Sequence, residues 1–154
     1  MTDTIIYTAQ PEDYLEVAEL VTLLLLELEP EAADEIKQMP LAETTQALLA
    51  SKKIVALLAK QGDELVGGLT LHECAAIYAG GVFGEISELY VKPAFRSDAI
   101  GGQLLDAATE MGKSLGWQRL EVGTPPPESS PRTLAFYCKQ GFEATGTRLR
   151  RLIV

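Results

Sequence analysis

Between Gly84 and Val122 the chain reads as strand, tight turn, helix, strand, and few arrangements satisfy that order. Gly84–Val91 has the apolar, β-prone character of a strand, and Pro93, which has no N–H for a ladder, ends it. A helix is predicted from about Gly101 to Leu115. Leu104, Leu105, Ala108, Met111 and Leu115 fall on one stripe of it, and Gly116 supplies its terminator. Leu120–Val122 is a short second strand. A strand, a helix and a strand in succession predict parallel neighbours joined by a right-handed crossover.

The remaining segments add strands to that unit. A first strand is expected at Ile5–Thr8. A long helix follows, with Pro11 as its first residue, Glu12 and Asp13 at its positive end, and Val17, Leu20, Val21, Leu24 and Leu28 on one face. Pro30 closes it within an acidic stretch, Glu27 to Glu35. A shorter helix is predicted over Leu41–Ala50. Ile54–Ala59 and Leu65–Leu71 form a hairpin about a Gly62-Asp63 turn. A second turn is expected at Ala79–Gly81. Pro125-Pro126-Pro127 forces an extended loop, Pro131–Gln140 is a helix stopped by Gly141, and the tail from Phe142 reads as two strands with a turn near Thr145–Gly146. The order predicts a mixed sheet carrying helices, an α/β or α+β domain.

With 154 residues, the chain is expected to form one domain over 1–154. Its longest uncharged apolar run, Leu23–Leu26, is far short of the roughly 20 residues a membrane span needs. The first residues lack the basic start and apolar run of a signal peptide, so a cytoplasmic protein with no membrane partner is expected. The formal net charge of −9 argues against nucleic acid, whose phosphates require a basic surface, and favours a cationic ligand. Cys74 and Cys138 stand in no metal or redox spacing and His72 is the lone histidine, so no metal site is expected. Ser87 has no His–Asp partner set in the sequence around it, which gives no support to nucleophilic hydrolysis.

The segment from Glu88 to Leu105 carries the chemistry. After the strand, an arginine and small residues lead into the helix at Gly101. The free N–H groups of a helix's first turn and its partial positive charge suit a diphosphate, and small residues allow close approach. The segment resembles the acetyl-CoA motif of the GNAT acetyltransferases, Arg or Gln followed by x-x-Gly-x-Gly/Ala, with Arg96, Ala99 and Gly101 in those places. Leu89-Tyr-Val-x-Pro-x-x-Arg before it and Gly-x-Leu-Leu after it are also similar. So is the later Tyr137-x-x-x-Gly-Phe142, and the likeness extends to the opening strand, Pro11 and first long helix.

The resemblance implies a mainly antiparallel central sheet with helices on both faces and a parallel strand pair at the cofactor cleft. It implies an N-acetyltransferase in which an amine attacks acetyl-CoA directly. Leu89, Tyr90 and Val91 would hold the thioester carbonyl and pantetheine arm. Arg96, Ser97, Asp98, Ala99, Ile100, Gly101 and Gly102 would hold the pyrophosphate through their main chain. Ser130 stands where the family often has a cofactor-holding asparagine. Tyr137 matches the usual acid, a phenol of pKa about 10. Glu88 matches a carboxylate that acts on the amine through water, with Glu85 a second candidate. Ala99 in place of a glycine and Asp98 beside the phosphates depart from the pattern, and they leave a non-catalytic acyl-CoA-sensing or partner-binding module as the alternative. The expected acceptor is a small cationic amine or a peptide N-terminus. Arg148, Arg150 and Arg151 on the last strand would form an exposed edge or the face of a homodimer, with binding of the coenzyme's 3′-phosphate as the lesser alternative.

Overall fold

The computed structural model describes residues 3–153. Five strands, β1 (Thr4–Thr8), β2 (Val55–Gln61), β3 (Glu64–Ala76), β4 (Gly81–Val91) and β5 (Leu120–Val122), form one sheet in sequential order. The β1–β2, β2–β3 and β3–β4 pairs are antiparallel. The helix α4 (Ile100–Leu115) connects β4 to β5, its parallel neighbour at the edge of the sheet. The helices α1 (Tyr14–Leu28), α2 (Ala33–Gln38) and α3 (Leu41–Ala50) separate β1 from β2, and α5 (Pro131–Lys139) follows β5.

Described residues up to Glu121 pack as one compact unit, and those from Val122 as a second. In the first, strand alternation divides the sheet's side chains between two helical layers. Ala56 and Leu58 of β2 face α1, together with their ladder partners Thr70 and Gly68 and, one strand further, Glu88 and Tyr90. Leu57, Ala59, Leu69 and Leu71 alternate to the other face, where α4 crosses β1 to β4 with Ile100, Leu104, Leu105 and Ala108 buried. Each fully buried leucine of this layer stabilises the unit by roughly 1.5–3 kcal/mol. Gly68 lets α1 approach: a Cβ there would lie 2.6 Å from Leu20 Cδ1. Helix α3 covers α1 in turn, adding Leu49 to the same core.

Within this unit the predicted elements are found with three differences. Pro11 begins a 3-10 turn, Pro11–Asp13, that leads into α1. Helix α2, not expected from the sequence, has one buried residue, Ile36, and so offers no apolar stripe to read. Strands β3 and β4 run on to Ala76 and Gly81, well beyond the apolar run that ends at Leu71, because the ladder continues pairing exposed and half-buried residues.

In the second unit, α5 ends where the Gly141 N–H bonds to the Cys138 carbonyl, with Gly141 at φ 94°, and the Phe142 N–H bonds to the Tyr137 carbonyl. The two tail strands expected after Phe142 are not formed among the described residues. The apolar members of that pattern, Leu149 (88% exposed), Leu152 (74%) and Ile153 (97%), have no packed face to alternate against, so nothing drives them into a ladder.

Candidate active site

Strand β4 positions the central carboxylate. Its register against β3 slips by one residue, Thr70 pairing with Glu88 and Leu71 with Ile86, so Ser87 bulges out unpaired. Glu88 is half-buried on the α1 face and accepts a hydrogen bond from the hydroxyl of Thr70, itself 4% exposed. Both line a narrow, mostly apolar gap against α1, bounded by Val17, Leu20, Val21 and Tyr90. A carboxylate held by a buried hydroxyl at the end of an apolar recess can bind an ammonium or receive its proton. No sequence signal marks Thr70 as the partner of Glu88. It lies 18 residues from Glu88, and only the register joins them. Glu85, the second carboxylate candidate, pairs with His72 on the same face.

The register also sorts Leu89, Tyr90 and Val91. The Lys92 N–H bonds to the Val66 carbonyl at 2.8 Å, and antiparallel pairs alternate between bonded and non-bonded. The Tyr90 amide therefore points to β3, whereas those of Leu89 and Val91 point to the β5 side of β4. The Val91 carbonyl on that side accepts from Arg96 Nε at 2.9 Å. With three residues against eleven, β5 accompanies only part of β4.

Arg96 ties the following turn to two other elements. Besides Val91, its guanidinium bonds to Glu27 at the end of α1 at 2.7 Å, and it lies 5.3 Å from the Tyr90 ring centre. Burial, followed by the charge of Glu27, pushes the Tyr90 phenol above its ordinary value. With Arg96's side chain so engaged, the turn's contribution to an anion falls to the main chain. Ser97, Asp98 and Ala99 are exposed, Ile100 is buried, and Gly101 and Gly102 are half-buried in the first turn of α4. The first intrahelical bond runs from the Gln103 N–H to the Ala99 carbonyl, which leaves earlier amides of that turn without helical partners. Ala99 is left-handed at φ 60°, a conformation glycine adopts without strain. Asp98 accepts from Gln61 Nε2 at 3.2 Å, and Gln61 also bonds to Thr4.

In the second unit, Tyr137 is buried between Phe136 and Phe142, with ring centres 5.2 and 5.3 Å away. Burial raises its phenol to about 12, higher than the sequence implies. Ser130 directly precedes α5, half-buried, and its hydroxyl does not cap the helix. On β3, His72 Nδ1 lies 3.1 Å from the hydroxyl of Ser87, a neighbour the sequence spacing did not suggest.

The model of the acetyltransferase (GNAT) family matches residues 18–142, well over half of the chain. The chain belongs to this family. The match spans most of α1, the β4–α4 segment and the Tyr137–Phe142 element. An aminoalkylphosphonate N-acetyltransferase of Salmonella typhimurium is 30% identical over 96 residues, covering 62% of this chain and 61% of its own length. The chain thus spans about three fifths of the length of the curated relative it matches. Among solved structures, a GNAT acetyltransferase from Ralstonia eutropha JMP134 superposes with a TM-score of 0.82 at 16% identity, covering 97% of this chain and 99% of its own. An aminoglycoside acetyltransferase from an uncultured soil metagenomic sample does so at 0.78 and 21%, covering 98% and 97%. These neighbours share the fold. No helix among the described residues is long and apolar enough to cross a membrane.

Proposed function

We propose that this GNAT acetyltransferase moves an acetyl group from acetyl-CoA to a primary amine, with residues 1–154 acting as one catalytic domain. The observation that carries the reading is Glu88, fixed by Thr70 in the recess against α1 on the strand that leads directly into the Arg96–α4 turn. The amine nitrogen attacks the thioester carbonyl carbon. A C–N bond forms as the C–S bond breaks, the proton on the attacking nitrogen passes to Glu88 directly or through water, and coenzyme A leaves as a thiolate that takes its proton from solvent. The outward amides of Leu89 and Val91 would hold the carbonyl and pantetheine arm, and Tyr90 would support Arg96 with its ring. Main-chain groups from Arg96 to Gly102 would bind the pyrophosphate, and Ser130 would add a hydroxyl to the coenzyme. Tyr137 is the proposed acid. A phenol near 12 is a much weaker acid than a thiol near 8.5, so it serves the departing sulfur as a hydrogen-bond donor more than as a source of a free proton.

The acceptor is proposed to be a small cationic amine or a peptide N-terminus, and the working location the cytoplasm. The test is release of free thiol from acetyl-CoA with polyamines, aminoglycosides, peptides with free N-termini and, because of the Salmonella relative, an aminoalkylphosphonate. Turnover with at least one amine that is lost in Glu88→Gln supports the reading. Binding of acetyl-CoA without turnover on any amine would favour the non-catalytic acyl-CoA-sensing alternative.

A further inference from the structure

We propose that His72, Cys74 and Glu85 form a binding site for a divalent metal ion of the zinc class, independent of the acetyl-transfer reading. Along the chain these residues give no metal signature. Folding assembles them. His72 and Cys74 are two positions apart on β3 and project from one face, and Glu85 lies opposite His72 in the β3–β4 ladder. One ligand atom from each, an imidazole nitrogen, the thiol sulfur and a carboxylate oxygen, lies within 4.8 Å of the other two. All three residues are half-buried, so an ion can reach them while part of its hydration shell is replaced.

The donor set selects the ion. A thiolate with an imidazole favours zinc and its neighbours over magnesium or calcium, which prefer oxygen alone. Three protein ligands leave the fourth position of a tetrahedral ion to water. A second observation supports the assignment. Metal-bound histidines are commonly held by a second hydrogen bond from the ring, and His72 Nδ1 lies 3.1 Å from Ser87 Oγ, a contact that fixes the ring beside Cys74 and Glu85. The bulge that exposes Ser87 is thus also what orients the histidine. On binding, the Cys74 thiol gives its proton to solvent and a sulfur–metal bond forms, so affinity rises with pH.

The test uses cobalt(II) as a spectroscopic probe and zinc(II) for affinity, on the full chain after reduction and chelator treatment. A thiolate-to-cobalt charge-transfer band and visible bands of tetrahedral intensity should grow to one equivalent. Cys138→Ser should keep the charge-transfer band and Cys74→Ser should lose it. His72→Ala and Glu85→Gln should each weaken zinc at least as much as Ser87→Ala, for which about tenfold is expected. Absence of the band in the wild type, its persistence in Cys74→Ser, or unchanged affinity in both His72→Ala and Glu85→Gln would overturn the site. Should a variant fail to fold, alkylation of the wild type decides. Zinc should protect Cys74 and not Cys138, and equal modification with and without zinc overturns the proposal.

Discussion

Tyr137 shows how burial changes what a residue type implies. A phenol of ordinary acidity would ionise within the range of an alkaline rate profile. With its value raised to about 12 by burial, Tyr137 stays a donor throughout, and no basic limb of the profile belongs to it. The same shift bears on stability. The unfolded phenol ionises near 10 and the folded one near 12, so its contribution is complete below about pH 10 and is lost between about pH 10 and 12. The loss is on the order of 2–3 kcal/mol for two units. Tyr137→Phe should therefore flatten the fall in denaturation midpoint between those pH values, and a fall as steep as the wild type's would place the effect elsewhere. In the acetylation assay the same variant should lower the maximal rate by roughly 10²-fold and leave acetyl-CoA affinity nearly unchanged, if the hydroxyl serves the leaving sulfur. Thr70 makes a second residue-scale case. Thr70→Val keeps the shape and removes the donor to Glu88. A hydrogen bond to a charged group is worth about 1.5–3 kcal/mol, so kcat should fall roughly 10- to 100-fold with acetyl-CoA affinity unchanged. Thr70→Ser should restore most of it. A loss of stability with kcat intact would reduce Thr70 to packing.

The turn between β4 and α4 holds one of the two left-handed non-glycine residues among the described residues, and the sequence already marked the place. Ala99 stands where the family pattern has glycine, and it adopts φ 60°. Ala99→Gly should raise stability by about 1 kcal/mol, the usual penalty of a left-handed non-glycine residue, or about 2–4 °C in melting temperature for a chain of this size. An unchanged or lower melting temperature would mean the added freedom of glycine in the unfolded chain outweighs the relief. Most elements were legible in this way, because apolar periodicity and Gly/Pro punctuation are local signals. Helix α3 falls on its predicted Leu41–Ala50, and α4 starts within one residue of Gly101. What was not legible depends on partners far along the chain. Helix α2 has a single buried side chain, the end of β3 is held by its ladder and not by apolar content, and the tail's alternation had no packed face behind it. The candidate site divides likewise. Glu88, Arg96 and Ala99 could be found by motif, but the Thr70–Glu88 bond and the His72–Cys74–Glu85 group exist only through a register that includes a bulge.

For the whole molecule, the net charge of −9 is the property most relevant to the acceptor. The acidic run Glu27, Glu29, Glu31, Asp34 and Glu35 is exposed around the end of α1 and the start of α2, and α1 lines the recess that ends at Glu88. Of that run, Glu27 is paired with Arg96, and because both partners are about half exposed the pair contributes little to stability. The remaining carboxylates contribute a negative field that concentrates cations without contacting them closely. Such a field is screened by salt, and the screening length falls from about 30 Å at 0.01 M to about 3 Å at 1 M ionic strength. For a polyamine or another cationic acceptor, KM should therefore rise several-fold across that range while kcat holds, because the chemistry at Glu88 occurs at short range. A neutral amine of similar size should show little dependence on salt. Exchanging Glu29, Glu31 and Glu35 together for glutamine should move the low-salt KM toward its high-salt value, since it weakens the field without touching the recess. If KM of the best acceptor is insensitive to salt and to this triple exchange, or if a neutral or anionic amine outperforms every cation, the acidic face is a solvated surface and acceptor choice is made at short range around Glu88.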